Sequence, residues 1–112
     1  MKNFVTFNKN KDFRRLYFKG KSIASSVLVT YVMKNRLKKT RLGVTTSKKV
    51  GNAVKRNRAR RVIKEAFRQI CDNLKPGVDI VFVARSKTCL VKTEEVLKSM
   101  IYHLKKLGAW EQ

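Results

Sequence analysis

Ser47 to Arg68 reads SKKVGNAVKRNRARRVIKEAFR, and its two halves follow different rules. Gly51-Asn52 breaks the chain and offers Asn52 as a helix N-cap, because an Asn side chain accepts from the unpaired N–H groups of a first turn. From Ala53 onward Ala59, Val62, Ile63, Ala66, Phe67 and Ile70 recur at threes and fours, the spacing of one apolar stripe on a helix. Most of the other positions are cationic. Lys48, Lys49, Lys55, Arg56, Arg58, Arg60, Arg61, Lys64 and Arg68 are opposed by Glu65 alone. On a helical wheel Asn57, Arg61, Lys64 and Arg68 line one face, with Arg56 and Arg60 beside them and the apolar stripe turned away. One helix can thus anchor in a core while presenting a row of guanidinium groups. A merely solvated face would mix charges. Here the shortage of acids removes i, i+4 pairing, and the like charges cost stability until an anion binds. Arginine suits that anion because its planar fork holds two phosphate oxygens at once. Asn57, between two arginines, can donate to and accept from a base edge or a 2′-hydroxyl.

Upstream, a first helix is expected to start near Asn8 to Asn10, where Asn can cap, and to stop at Gly20. Phe13, Leu16 and Tyr17 share one of its faces. A weak strand follows at Ser22–Ser25, then Val27–Met33, rich in β-branched and aromatic residues. Asn35–Thr40 is a charged hairpin connection, and Arg41–Thr46 alternates as a half-buried strand. Downstream, Lys75-Pro76-Gly77 closes a connection, and Asp79–Ala84 (DIVFVA) reads as a central strand buried on both sides. A last helix starts near Thr93, with Glu94 and Glu95 at the positive end of its dipole and Val96, Met100, Ile101, Leu104 and Leu107 as its buried face. The predicted order is αβββαβα, an α+β sandwich of one small sheet and packed helices.

The 112 residues fit one domain spanning the chain, and 43% hydrophobic content supports one packed core. Charge is the outlier: 28 Lys and Arg against 7 Asp and Glu give a formal net charge of +21. Such a field attracts polyanions over a long range. The cations alternate with apolar residues from Lys9 to Lys106, so they belong to folded elements and not to a tail. The opening MKNFVTFNKN has no signal-like apolar run and no stretch approaches a membrane span, so a cytoplasmic protein is expected. Cys71 and Cys89 lack metal-ligand spacing and are expected as free thiols; the single histidine, His103, is expected to be structural. No catalytic constellation and no metal site is predicted: there are no paired carboxylates on a plausible shared face and no ligand cluster.

The wording of the basic stretch is more specific than its charge. Arg56-Asn57-Arg58-Ala59-Arg60-Arg61, preceded by SKKVGNAV and followed by IKEAFR, resembles the signature of the bacterial ribonuclease P protein family. Asp12-Phe13, Tyr17, Gly20, Val29–Val32 and Asp79–Arg85 extend the resemblance over nearly the whole chain. It implies an αβββαβα fold similar to a domain of ribosomal protein S5, with an uncommon left-handed β-α-β crossover. It implies the protein subunit of an endoribonuclease that removes the 5′ leader of precursor tRNA, with Mg²⁺ held mainly by the RNA subunit and substrate, and no obligatory protein partner. Arg56, Asn57, Arg58, Arg60 and Arg61 would meet the catalytic RNA, joined by Lys64 and Arg68. Phe13, Tyr17 and Tyr31 match the family's leader-binding aromatic positions, and Ser47, Lys48, Lys49 and Asn52 its polar rim. Tyr17 stands where other members often have Phe, while Ser26 and Val27 replace more polar residues found in some members.

Three other readings compete. A structural RNA-binding protein with an S5-like domain accounts for charge and fold but not for the S-K-K…R-N-R wording. A DNA-binding helix in a major groove lacks a preceding helix-turn-helix pattern. A membrane-surface helix needs a large exposed apolar face, which here is committed to the core.

Overall fold

The computed structural model describes residues 4–111. In chain order its elements are β1 (Phe4–Thr6), α1 (Asn10–Lys19), β2 (Lys21–Ala24), β3 (Leu28–Lys34), β4 (Thr40–Thr45), α2 (Ala53–Ile70), β5 (Val78–Ala84) and α3 (Thr93–Lys106). Short 3-10 turns precede and follow α2, at Lys48–Val50 and Cys71–Asn73. The strands form one sheet in the order β1-β4-β5-β3-β2. β5 lies at its centre, parallel to β4 and antiparallel to β3, with α2 as the crossover from β4 to β5. The αβββαβα order is present with one strand added in front.

That strand, β1, pairs parallel to β4 with Phe4 opposite Thr40, and its Phe4 ring meets Phe67 of α2 edge-on at 4.9 Å. Three residues are too few to show a period. The expected strands otherwise shift by one residue at their ends, but the charged connection after β3 is not a hairpin loop, because β5 inserts between β3 and β4 in the sheet. At the start of α1 the predicted Asn cap is not used: Asn10 is already helical, and Lys9 before it makes no side-chain capping bond.

Alternation along the strands sends side chains to two different layers. Leu28 and Val32 of β3, Leu42 of β4 and Ile80 and Phe82 of β5 join Val62, Ile63, Ala66 and Phe67 of α2 and Val96, Met100 and Leu104 of α3 in one apolar core. Ile101 and Leu107, expected on the buried face of α3, are only partly covered, and His103 is buried in that face, its Nδ1 2.8 Å from Thr30 Oγ1. Cys71 and Cys89 are buried and free.

The other layer is α1. Leu16 is fully buried there, as is Val81 of β5. α1 is tied to the sheet by charge as well. Asp79, opposite Arg41 in the β4–β5 register, has no exposed side-chain surface. It accepts from Arg41 Nε and Nη2 at 2.8 and 2.7 Å, from Arg15 Nη2 of α1 at 2.8 Å and from Asn35 Nδ2 at 2.6 Å. Burial pushes the Asp79 carboxyl up, but hydrogen bonds from Arg41 and Asn35 and the charges of Arg41 and Arg15 outweigh it and hold it below the ordinary carboxylate range. The same bond to Asp79 raises Arg41.

Candidate nucleic-acid interface

The approach to α2 is built from backbone-satisfying side chains. Ser47 Oγ accepts from Lys49 N at 3.2 Å, and Asn52 Oδ1 accepts from Lys55 N at 3.0 Å. Between them Gly51 takes φ +136°, a conformation that L side chains rarely adopt, and a Cβ there would stand 2.6 Å from Lys55 Cδ. The first turn of α2 contains no acid. Its unpaired N–H groups therefore add their partial positive charge to Lys48, Lys49 and Lys55.

The arginines of α2 divide between two flanks of the helix. Arg56 Nη1 donates back to Gly51 O at 2.9 Å, and Arg60 donates to Thr46 Oγ1 at 2.9 Å and to Asn57 Oδ1 at 3.3 Å. Arg56 is thus held at the turn before α2, and Arg60 is aimed toward the end of β4. Asn57 and Arg61 stand exposed on the outer face, the half-buried Lys64 follows them along the helix, and Arg68 continues the row with Glu65 at 3.5 Å. Arg58 departs from the group. It lies on the opposite flank, where its Nε donates to Cys89 O at 2.8 Å in the connection before α3.

On the α1 side of the sheet the aromatic residues form a chain. Phe13 is 6.3 Å from Tyr17, and Tyr17 is 4.9 Å from Tyr31, its hydroxyl donating to Thr45 Oγ1 at 3.4 Å. Phe7, not picked out in the sequence, extends the chain at 5.0 Å from Phe13, with the Arg41 guanidinium 5.0 Å over its ring. The signal it left was an aromatic residue directly after the short run Phe4–Thr6. Gly43 explains how the rings fit: a Cβ there would lie 2.7 Å from Phe13 and 2.8 Å from Phe7. α1 covers only part of this face. Beyond it opens a groove of about 490 Å³ lined by Asn8, Asn10, Phe13, Arg14, Tyr17, Val44, Thr45, Thr46 and Arg60.

Phe13, Tyr17 and Tyr31 are therefore together, and Arg60 joins this groove to the basic helix. Ser47, Lys48, Lys49 and Asn52 follow Thr46 at one end, all exposed, though the Ser47 and Asn52 oxygens are engaged in caps. Among the described residues no three His, Cys, Asp or Glu side chains gather as metal ligands. No described helix is long and apolar enough to cross a membrane.

The family model described as Ribonuclease P matches residues 1–108. The chain belongs to the ribonuclease P protein family. The ribonuclease P protein component of Clostridium novyi (strain NT) is 43% identical over 112 residues, covering 98% of this chain and 99% of that one. That of Clostridioides difficile (strain 630) is 47% identical over 93 residues, 82% of each. The chain also resembles the solved RNase P protein of Staphylococcus aureus, with a TM-score of 0.83, 35% identity and coverage of 94% of this chain and 96% of that one. For the RNase P protein of Thermotoga maritima the TM-score is 0.76, with 28% identity and coverage of 87% and 92%. Ribonuclease P membership thus agrees with both the R-N-R wording and the whole fold.

Proposed function

We propose that this tRNA-processing subunit of ribonuclease P holds the catalytic RNA on α2 and the single-stranded 5′ leader of precursor tRNA in the aromatic groove. The observation that carries the reading is Arg60, which belongs to the basic helix and also lines the groove. One protein surface can therefore grip two RNA segments side by side. Arg56, Asn57, Arg60, Arg61, Lys64 and Arg68 would take phosphates and 2′-hydroxyls of the RNA subunit. Arg58, on the other flank, would take a separate strand of it. Phe13 and Tyr17 in the groove's lining, with Tyr31 against Tyr17, would stack on leader bases with little sequence preference, while Lys48 and Lys49 follow the phosphates. Ser47 and Asn52 would contribute their remaining donors, the hydroxyl and the amide N–H groups.

The protein's share of the reaction is placement and charge. Bringing a leader beside a catalytic RNA juxtaposes two polyanions, and the cations between them lower that repulsion. Mg²⁺, which supplies the hydrolytic chemistry, would be held by the RNA and the substrate, because the groove offers rings, hydroxyls, amides and cations and not the oxygen set a hard cation requires. The site of action would be the cytoplasm. The test is precursor-tRNA cleavage at low Mg²⁺ by a bacterial ribonuclease P RNA, with and without the protein, on substrates with and without an extension of a minimal leader. Restored cleavage that favours the extended leader supports the reading. Tight RNA binding with unchanged cleavage points to a structural RNA-binding protein instead.

A further inference from the structure

The aromatic groove does not stop at α1. It shares Arg14 and Tyr17 with a second depression of about 630 Å³ on the outer side of that helix. This in turn shares Lys19 with a third, of about 1040 Å³, at the opposite end of the sheet. Phe18 stands in the middle depression with 88% of its surface exposed. A single exposed apolar side chain needs no explanation in itself; its surroundings supply one. Lys11, Arg14 and Lys19 have no acidic partner among the described residues, and Arg15 beside them is drawn inward to Asp79. An accessible ring among unpaired cations, continuous with a groove of the same make, has the composition of a stacking platform for a single strand. A membrane surface would need a broad apolar face, and here the ring is ringed by charge.

We propose that the outer face of α1, with Phe18 as its ring and Arg14 and Lys19 as its cations, is a second single-stranded RNA subsite. It takes leader nucleotides farther from the cleavage site than those held by Phe13, Tyr17 and Tyr31. This rests on reading the groove as the leader site. α1 is ten residues, about 15 Å long at 1.5 Å per residue. A leader therefore reaches Phe18 only when it is long enough to pass Tyr17. Arg14, common to both depressions, contacts the strand where it crosses from one to the other.

The experiment uses holoenzyme reconstituted from a bacterial ribonuclease P RNA and this protein, with precursor tRNAs whose leaders are shortened stepwise. Substrate affinity is expected to rise in two stages with leader length. Phe18→Ala removes the second stage, about a tenfold loss with the longest leaders, and leaves the shortest unchanged; Phe18→Tyr keeps it. Tyr31→Ala weakens every substrate that has a leader. Phe18→Ala indistinguishable from wild type at all lengths overturns the subsite. So does a loss equal at all lengths, which would mean that this face binds the RNA subunit. If wild type ignores leader length altogether, the groove reading fails with it; dependence on Tyr31 without dependence on Phe18 sinks the subsite alone. Because Phe18 is exposed, the fold should survive both substitutions, which circular dichroism checks directly.

Discussion

The two faces of the sheet are made from the same strands by different means. Toward α2 and α3 the strands send Leu28, Val32, Leu42, Ile80 and Phe82 into one dry cluster, where burial and ring contacts such as Phe67–Phe82 at 5.7 Å supply the stability. Toward α1 they send Tyr31, Arg41, Gly43, Thr45, Asp79 and Val81: a buried carboxylate, a glycine and a ring in place of a filled layer. An apolar face closes on itself. The α1 face combines the buried Leu16 and Val81 with a few directional bonds and leaves its remainder open, which is what a groove for a strand of RNA requires.

The sharpest way to break this contrast is to remove the carboxylate. Asp79→Ala leaves the partly buried Arg41 with only its 3.5 Å contact to Asp12 and cuts the bonds from Asn35 and Arg15, so a loss of about 3–5 kcal/mol is expected by urea denaturation. This matches the cost of about 3–5 kcal/mol for Phe67→Ala in the apolar core. The two should differ with pH. Because the folded pKa of Asp79 is depressed, its contribution is full above the ordinary carboxylate value of about 3.8 and is lost as pH falls through the lower folded value. Phe67→Ala should shift the acid transition without removing that component.

Gly43→Ala asks whether the ring layer has spare room. The new Cβ would lie within 2.9 Å of both Phe13 and Phe7, so the rings must move, at a cost of about 1–3 kcal/mol. Leader affinity should fall along with stability, measured by denaturation and by substrate titration on one preparation. If stability holds and the affinity is intact, the rings are mobile and the layer is not positioned by the glycine.

Asn52→Ala addresses the connection between the faces. Its Oδ1 caps α2, so about 1 kcal/mol of stability is expected to go, while Asn52→Asp keeps the cap. A drop in leader affinity shared by both variants would show that the amide N–H groups also serve the rim, whereas a drop for the aspartate alone would reflect its added negative charge.

The apolar face was legible in the sequence and the ring face only in part, for a physical reason. α2, α3 and the central strands carry their period in consecutive residues, so Ala59 to Ile70 and Val78 to Ala84 announce themselves. β1 acquires its identity from pairing with Thr40 to Leu42, far along the chain. Asp79 looks like a strand's polar first residue; its partners Arg15 and Arg41 stand 64 and 38 residues away among 28 cations that nothing local distinguishes. Phe13, Tyr17 and Tyr31 came from the family resemblance and do lie together, whereas Arg58 shared the motif's wording but lies on the other flank of the helix. Adjacency in sequence decides which residues share a helix. The wheel decides which share a surface.

A last test lies on the apolar face, at its buried imidazole. His103 is buried against Thr30, and removal from water lowers its pKa below the ordinary value of about 6.5. The folded protein therefore keeps the imidazole neutral at a pH where the unfolded chain has already taken up a proton. Stability should be at its full value above about pH 6.5 and fall as the pH drops below it, with a slope of at most about 1.4 kcal/mol per pH unit, the limit for one proton. His103 is the only histidine, and the Asp79 window lies lower, so the range from pH 6.5 to 5 isolates this contact. His103→Gln retains a polar group for Thr30 and should flatten the pH dependence while lowering the plateau. A variant that keeps the wild-type slope would assign the slope to other groups, and the His103–Thr30 contact would then be as insensitive to pH as the leucines around it.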